Sequence, residues 1–438
     1  MNDPSWLIKG FALFVSLGCL VSCGSHSVGL DIPGPWTQDV VYASNRGSNS
    51  VSAYQVNAAN GILNPIPGSP FAAGAAPTGP MALASDYSGF VPNSGANSVS
   101  AFRISTSGST LSTSTGGLVP LTGSPLATGR VPVALAAAYL LGALFIVNQT
   151  DNSISAYKGD VSMSTFTAAP GSPFATGTGP SAVTVGPAVY VVNRGSNSVS
   201  AFAVDATSAA LSPIAGSPFA TGSSPTNLAI DPNQKFAFVA NNSSANVSAY
   251  LVGTGGALAP VAGSPFAAGT SPVSVSIWFA GGTREFVYVL NGGSNDISAF
   301  SVDPTTGVLA AVAGSPFATG IGPTFLAIDP TARFVYVANG AAASVSAYAV
   351  DATTGALRAV PGSPFACGSG PLYLTFDHAG NYLYVANGGS ADISGFAISV
   401  VGGTTGAGAL TALPGSPYAA GTSPDAVSTL TIQYSPSI

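Results

Sequence analysis

The stretch PTFLAIDPTARFVYVANGAAASVSAYAVDATTGALRAVPGSPFACG, residues 323–368, is the unit from which most of this chain is built. It contains a strand-like segment after a proline, an aromatic-rich strand that ends in Asn, a VSAY-type strand, a DATTG turn, a short fourth strand and a GSPF loop. Units of this kind, four strands each, indicate a β-propeller. The Asn that ends the second strand recurs eight times, at Asn45, Asn93, Asn148, Asn193, Asn241, Asn291, Asn339 and Asn387. The sequence therefore predicts an all-β propeller of eight four-stranded blades, whose strands we call a, b, c and d.

The two ends of the chain predict how the ring closes. The first unit has no strand a, because the chain enters directly at the strand b VVYASN, residues 40–45. After the eighth GSP loop, residues 425–434 have the pattern of a strand a with nothing to follow it. We expect this C-terminal strand to complete the first blade, so that both termini meet in one sheet.

Residues 1–23 are expected to be an export signal. Lys9 precedes an apolar run over residues 11–21, which is too short to span a bilayer as a stable helix. The run ends in Leu-Val-Ser-Cys, residues 20–23, which resembles a bacterial lipobox, in which the cysteine is lipidated and becomes the new N-terminus. The alternative is ordinary signal cleavage, with Cys23 incidental. The lipobox predicts an exported, lipid-anchored protein of the bacterial cell envelope, with a flexible tether over residues 24–38 and one propeller domain over residues 39–438.

Charged side chains are scarce. They make up 6% of the chain, the net charge is -6, and no basic cluster is present, so nucleic acid is not an expected partner. The chain has one Glu, Glu285, and two His, of which His26 is in the tether and His378 is in a turn. No His, Cys and carboxylate residues have metal-ligand spacing, and no Ser-His-Asp triad can be assembled. The sequence predicts no metal and no cofactor.

Three recurring features are interpreted as structural. An Asp follows strand a or opens the c–d hairpin, where it would cap a turn. The Asn at the end of strand b is assigned to the following turn, because Asn tolerates left-handed backbone conformations. The aromatic residue of each GSPF loop is expected to wedge between two blades.

One rim of the propeller is nearly constant in length. The spacing from the strand-b Asn to the strand-c aromatic residue is nine in every unit, and residues 78–80 are the one insertion in the d–a crossovers. Other insertions fall in the a–b and c–d connections, at residues 105–117, 280–284 and 401–409. Because b–c loops and d–a crossovers share one rim of an antiparallel blade, we call this the constant rim and expect the ligand site there.

Three arginines and one asparagine are the ligand-binding candidates on the constant rim. Arg46 and Arg194 each follow a strand-b Asn, and Arg130 lies in a crossover. Together they would suit an anionic ligand such as a sugar acid or a phosphate; the alternative is three solvated surface cations. Asn227 is the fourth candidate. It belongs to the strand-a residues that we expect to line the channel, with Met81, Val133, Ser181, Thr226, Val273, Thr324, Leu372 and Asp425.

The recurring motifs resemble a known family. YVAN at residues 336–339 and 384–387, the VSAY and ISGF strands, and the D-x-T-T-G-x-L turn at residues 351–357 resemble YVTN-type and lactonase-like β-propellers. That family includes bacterial 6-phosphogluconolactonase. The resemblance covers residues 40–434 and implies a propeller fold, with seven blades in the known members against eight units here. It also implies hydrolysis of a sugar lactone as a function, although fold resemblance alone does not assign activity.

Two function hypotheses follow. Near-identical units, a uniform rim and few acid–base groups favour a binding or surface-scaffold module for a small molecule, glycan or protein on the constant rim. The alternative, implied by the resemblance, is a lactonase-family hydrolase. Such an enzyme would use Asp425 as its base, because Asp425 is the sole carboxylate at a channel-facing strand-a position. The other role for Asp425 is a cap at the start of the closing strand. The first hypothesis predicts no turnover of 6-phosphogluconolactone or of simple aldonolactones above the spontaneous rate.

Overall fold

The computed structural model describes residues 37–84, 86–106, 115–160, 162–279, 284–400 and 406–433. They form eight antiparallel sheets arranged as a ring, in which the inner strand of each sheet contacts the inner strands of its two neighbours. The eight-bladed propeller predicted from the repeats is therefore confirmed. The predicted signal and most of the tether lie outside the described residues, as do residues 107–114, 280–283 and 401–405 within the three longer connections.

Each blade takes its inner half from strands a and b. The a strands of blades 1 to 8 are β40 (Pro424–Gln433), β5 (Ala82–Leu83), β10 (Pro132–Ala138), β15 (Pro180–Val185), β20 (Pro225–Ile230), β25 (Pro272–Phe279), β30 (Pro323–Ile328) and β35 (Pro371–Phe376). The b strands are β1 (Thr37–Asn45), β6 (Ser88–Asn93), β11 (Ala143–Asn148), β16 (Val189–Asn193), β21 (Phe236–Asn241), β26 (Glu285–Asn291), β31 (Phe334–Asn339) and β36 (Tyr382–Asn387). The b strands are apolar at consecutive positions because both of their faces are buried between blades.

The c strand of each blade pairs with a fourth strand that is divided into two pieces. The c strands are β2 (Ser50–Val56), β7 (Ser98–Ile104), β12 (Ser153–Gly159), β17 (Ser198–Val204), β22 (Asn246–Val252), β27 (Asp296–Val302), β32 (Ser344–Val350) and β37 (Asp392–Ile398). The first pieces are β3 (Leu63–Pro65), β8 (Leu118–Pro120), β13 (Phe166–Ala168), β18 (Leu211–Pro213), β23 (Leu258–Pro260), β28 (Leu309–Ala311), β33 (Leu357–Ala359) and β38 (Leu410–Ala412). The second pieces are β4 (Phe71–Ala72), β9 (Leu126–Ala127), β14 (Phe174–Ala175), β19 (Phe219–Ala220), β24 (Phe266–Ala267), β29 (Phe317–Ala318), β34 (Phe365–Ala366) and β39 (Tyr418–Ala419).

The GSP loop bridges the two pieces of the fourth strand. In blade 7, the Ser363 hydroxyl accepts the backbone N–H of Ala347 on β32 at 2.9 Å. That N–H faces the break, where the fourth strand offers no carbonyl. The serine of every GSP loop makes the same bond. In each blade, the strand-c N–H group opposite the break in the fourth strand therefore has a hydrogen-bond partner.

Helical structure among the described residues is limited to two short 3-10 turns. They span Tyr139–Leu141 and Thr254–Gly256. No helix in the described ranges has the length and apolar character needed to cross a membrane.

The C-terminal strand completes blade 1 as predicted. β40 pairs with β1 from Thr37 opposite Gln433 to Asn45 opposite Pro424. β1 begins at Thr37, so the last two residues of the predicted tether belong to the blade. The inner strand of blade 1 therefore comes from the end of the chain and its other strands from the beginning.

The hydrophobic core is divided into eight clusters, one between each pair of neighbouring blades. The aromatic residues of the GSPF loops pack against these clusters, which confirms the wedge role expected from the sequence. Phe365, for example, packs on the cluster that joins blades 7 and 8 through Tyr336 and Leu374. Each interface buries apolar area from two blades, so no blade has a core of its own.

The strand-b Asn residues do not form the turn to which the sequence assigned them. Asn339 is fully buried at the end of β31, and the left-handed residue of its loop is Ala343, four positions later. The Asn339 amide donates to the hydroxyls of Ser344 and Ser346 on β32, at 3.2 and 3.0 Å. Gly320 of the preceding crossover lies against the amide, where a Cβ would come within 2.7 Å of it. All eight Asn residues have such a glycine neighbour, so they tie each blade to the crossover that enters it.

Candidate functional site

A β-bulge near the start of the inner strands decides which side chains face the channel. In β20, Pro225 pairs with Asn241 and Asn227 pairs with Ala240, so Thr226 is the extra residue. The same shift occurs in β10, β15, β25, β30, β35 and β40. A bulge breaks the strict alternation of a strand, and two consecutive residues after the proline can then face the same space.

A cavity of about 230 Å³ lies at this end of the channel, on the constant rim. It is lined by the first residues of the inner strands of blades 3 to 7, by residues 78–80 before β5 and by Pro92. Pro77 pairs with Asn93 as the other strand-a prolines pair with the strand-b Asn, so the insertion predicted for this crossover lies instead in the inner strand itself, after Pro77. The lining residues are Thr, Ser, Asn, Gly, Pro, Val, Ala, Leu and Phe, and none of them is ionisable. The rim predicted to hold the ligand site is thus the rim that carries this cavity.

Asn227 lines the cavity, as the sequence predicted. It is the residue after the bulge in β20, and its Oδ1 accepts the backbone N–H of Val275 on β25 at 3.3 Å. This bond joins blades 5 and 6, because the side-chain amide on β20 reaches the backbone of β25. Asn227 is therefore held by a neighbouring strand while it faces the cavity.

Asp425 is not among the residues that line the cavity, but it bonds to one of them. It is the bulge residue of β40, and its Oδ2 accepts the backbone N–H of Gly79 at 2.6 Å. Gly79 belongs to the insertion that lines the cavity, and its positive φ of 70° suits glycine. Asp425 does bond to backbone, as the capping alternative required, but to the insertion of the next blade. Blade 1 carries Asp425 and blade 5 carries Asn227, so the two candidates are half a ring apart.

The three candidate arginines lie on separate loops of the constant rim. The Arg130 backbone N–H and guanidinium Nε bind the carboxylate of Asp151, each at 2.6 Å, and these bonds hold the pKa of Asp151 below its usual range. Arg46 and Arg194 are exposed in the b–c loops of blades 1 and 4. None of the three lines the cavity, and within the described ranges no hydrogen bond joins one to another.

The structure changes the predicted channel lining: Met81, Leu372 and Asp425 are not among the residues that line the cavity, and several residues that were not predicted are. Met81 is 3% exposed and packs between blades 1 and 2, because the insertion before β5 moves it away from the cavity. Ser274, the residue after the bulge in β25, lines the cavity and was missed. The sequence pattern assumed that strand a alternates from its first residue, and a bulge leaves no signal in that pattern.

Metal-binding groups are not assembled in the part of the chain that the structure describes. No three His, Cys, Asp or Glu side chains come together there in a way that could hold a metal ion. The polar groups of the cavity itself are hydroxyls, backbone groups and one amide, which are not the charged donor sets that divalent cations prefer.

Comparisons with known proteins agree with this architecture. The model of the family described as "Lactonase, 7-bladed beta-propeller" matches residues 90–277 and 281–364. A protein from Bacteroides fragilis described as a "putative 6-phosphogluconolactonase" superimposes with a TM-score of 0.60 at 16% identity, over 90% of this chain and 98% of its own. The periplasmic gluconolactonase of Pseudomonas aeruginosa superimposes with a TM-score of 0.55 at 18% identity, over 75% of this chain and 98% of its own. No curated protein matches the sequence. At these identities the structural similarities show the fold.

Proposed function

Because the chain belongs to the lactonase family of β-propellers, whose members are described as seven-bladed, we propose that it opens a sugar lactone by hydrolysis in the cavity on its constant rim. The observation that supports this proposal is the position of Asp425, a carboxylate bonded to Gly79, which lines the cavity, in a chain with few carboxylates. The similarity to a periplasmic gluconolactonase points to the same substrate class.

The proposed chemistry needs a base and hydrogen-bond donors. Asp425 takes a proton from water as the water oxygen attacks the lactone carbonyl carbon. Hydrogen-bond donors that line the cavity stabilise the negative oxygen that develops. The bond from the carbonyl carbon to the ring oxygen then breaks, and the ring oxygen receives the proton from Asp425. The product is the open hydroxy acid, and no co-reactant other than water is consumed.

The experiment is turnover of D-glucono-1,5-lactone by the wild type and by Asp425→Asn. We expect wild-type turnover above the spontaneous rate and a loss of about 10²- to 10⁴-fold in kcat for the variant, the usual contribution of a general base. Asp151→Asn is the matched control, because Asp151 is on the same rim but is paired with Arg130 away from the cavity. Circular dichroism establishes that both variants fold. Wild-type turnover at the spontaneous rate, or full activity in Asp425→Asn, would contradict the proposal.

The second candidate function is a binding or surface-scaffold module for a small molecule, glycan or protein. It is favoured by the uniformity of the constant rim, where all eight b–c loops have four residues. A module of this kind would bind its ligand on that rim, and in the turnover assay it would hydrolyse no lactone. The three arginines Arg46, Arg130 and Arg194 remain candidates for such a contact.

We also propose that the protein is exported and anchored by a lipid on Cys23, in a segment outside the described residues. Cys23→Ser is expected to move the protein from the membrane fraction to the soluble fraction, or to leave the precursor uncleaved. Cys19→Ser is the control, because Cys19 lies inside the apolar run and should not affect anchoring. Mass spectrometry of the wild type that finds no acyl chain on residue 23 would refute the anchor.

A further inference from the structure

The outer strand of each blade has backbone groups that point away from the ring. In blade 6, the N–H of Val312, the residue after β28, donates to the carbonyl of Ala299 on β27 at 2.9 Å. Hydrogen-bonding directions alternate along an antiparallel strand, so the N–H and C=O groups of Leu309, Ala311 and Ala313 point away from β27. β28 pairs with β27 and with no other strand among the described residues. These outward groups therefore have no backbone partner in that part of the chain.

Proline removes at least one of these outward N–H groups in the seven other blades. The prolines at the position of Ala311, in blades 1, 2, 4 and 5, are Pro65, Pro120, Pro213 and Pro260. The prolines at the position of Ala313, in blades 1, 3, 7 and 8, are Pro67, Pro170, Pro361 and Pro414. The second position is also the first corner of the turn that contains the GSP glycine, where proline is favoured. Blade 6 has alanine at both positions.

The outer edge of blade 6 also lacks the other common protection against strand addition. Proteins block exposed sheet edges with proline, with charged side chains or with a covering segment. Residues 304–316, which include β28 and the turns on both sides of it, contain no ionisable side chain. Ala310, Ala311 and Ala313 are exposed in this segment. Blade 7, in contrast, has both Pro361 and a charged residue, Arg358, at its outer edge.

The occupant that this edge fits is the same edge of a second copy. In an antiparallel pair centred on Ala311, the two Ala311 residues exchange N–H and C=O groups, and Leu309 of one copy lies opposite Ala313 of the other. All three outward N–H groups of each copy then meet a carbonyl of its partner. Charge agrees with this arrangement, because it places the Asp303 turn of one copy beside the uncharged GSP turn of the other.

We propose that the outer edge of blade 6 is a self-association surface, at which two copies of this protein pair as antiparallel strands. This inference goes beyond the proposed function and does not depend on it, because the cavity is at the channel and the paired edge is at the outside of the ring. The dimer is weak, since an edge of this length buries far less than the ~800 Å² per partner of a standard interface. It therefore forms at high protein concentration and exchanges with the monomer.

The first test is sedimentation velocity of the full chain at a series of concentrations. We expect reversible dimerisation of the wild type. Ala311→Pro and Ala313→Pro each remove one donor per copy, and should raise the dissociation constant by roughly 10- to 100-fold. Ala412→Pro is the matched control, because it changes the same strand position in blade 8, which already has Pro414. All three variants should melt like the wild type, since other blades carry proline at these positions.

The second test uses a cysteine in place of the proline and reports the register. Two copies of Ala311→Cys would have their Cα atoms about 5.5 Å apart, which is within reach of a disulfide. We expect a cross-linked dimer on a non-reducing gel after mild oxidation, and little for Ala412→Cys, which has the same other cysteines.

A wild type that stays monomeric at every concentration would overturn the inference. So would association that Ala311→Pro and Ala313→Pro do not weaken, or that Ala412→Pro weakens as much. If a proline variant fails to fold, the cross-link decides: equal yields for Ala311→Cys and Ala412→Cys would exclude pairing through blade 6.

Discussion

A chain that lacks residues 424–438 is expected to lose cooperative folding. The deletion removes β40, which supplies the inner strand of blade 1 and pairs with β1 along its whole length. Val427 packs between blades 8 and 1, and Leu430 and Ile432 pack between blades 1 and 2. Burial of these three side chains is worth about 5–9 kcal/mol, which is comparable with the total stability of a typical domain, about 5–15 kcal/mol.

The deletion also exposes sheet edges at the centre of the ring, which favours aggregation. Thermal melting followed by circular dichroism, with size-exclusion chromatography, measures both effects. The control is a chain that ends after residue 434, which keeps β40 entire. The control should melt like the wild type. A 424–438 deletion that melts at the wild-type temperature would contradict the closure of the ring by this strand.

The second expected result is a pH-dependent stability that Glu285→Gln removes. Glu285 begins β26 and is 7% exposed. Its Oε1 accepts the amide of Asn233 at 3.0 Å, and its Oε2 is buried without a hydrogen-bond partner among the described residues. Burial, and then the negative charge of Asp231 on blade 5, raise the pKa of Glu285 to about 7, against the opposing effects of the Asn233 hydrogen bond and the Lys235 ammonium.

The direction of the effect follows from the raised pKa. Between the ordinary value for Glu and about 7, the folded protein holds a proton that the unfolded chain has released. The stabilisation from protonated Glu285 is therefore complete below the ordinary value and is lost as the pH rises through about 7. A glutamine side chain at this position has nearly the same shape as protonated glutamate, and it is uncharged at every pH. The melting temperature of the wild type should fall below that of Glu285→Gln by roughly 2 °C or more between pH 5 and pH 8.

The quantity to follow is the difference in melting temperature between the wild type and Glu285→Gln at each pH. Burial, and then the charge of Asp39, raise the pKa of Asp377 at the closure seam to about 6, so both proteins share that titration. Asp303→Asn is the control: the N–H of Thr306 lowers the pKa of this exposed turn carboxylate, which therefore titrates below the measured window. Parallel melting profiles for the wild type and Glu285→Gln from pH 5 to pH 8 would contradict the prediction.

Much of the fold could be predicted because the repeat carries the same information eight times. One unit of four short strands is ambiguous, but the recurrence of the strand-b Asn and the GSP loop removes the ambiguity. The turn role of the Asp residues was also readable, because it is local: Asp231 accepts the N–H groups of Lys235 and Phe236, a few residues away. The role of the strand-b Asn was wrongly predicted although the hydroxyl partners of Asn339, Ser344 and Ser346, are also local, because one of the contacts that bury it is not. The residue that packs on Asn339 is Gly320, which arrives from the preceding crossover.

The candidate site was predictable only in part. The constant loop lengths indicated the correct rim, and the cavity is on it. Asn227 and Asp425 were identified as channel-facing residues, but the distance between them depends on which blades they occupy in the closed ring. Ser274 could not be found, because the bulge in β25 changes which face its side chain takes. The signal that would have found it is the departure from the repeat after the strand-a proline, where blades 3 and 4 have Ala and blade 6 has Ser.

The sequence by itself determined the number of blades, the strand that closes the ring and the scarcity of charged groups, because each of these is a property of order and composition along the chain. Only the tertiary structure decided that Asn227 and Ser274, which follow bulges in neighbouring blades, line one cavity. It also decided that Asp425 bonds to Gly79 and that Glu285 is buried near Asp231. The physical reason is that these groups meet across blade boundaries. Their burial and hydrogen bonding exist only after the ring has closed, when residues 346 positions apart, such as Gly79 and Asp425, come into contact.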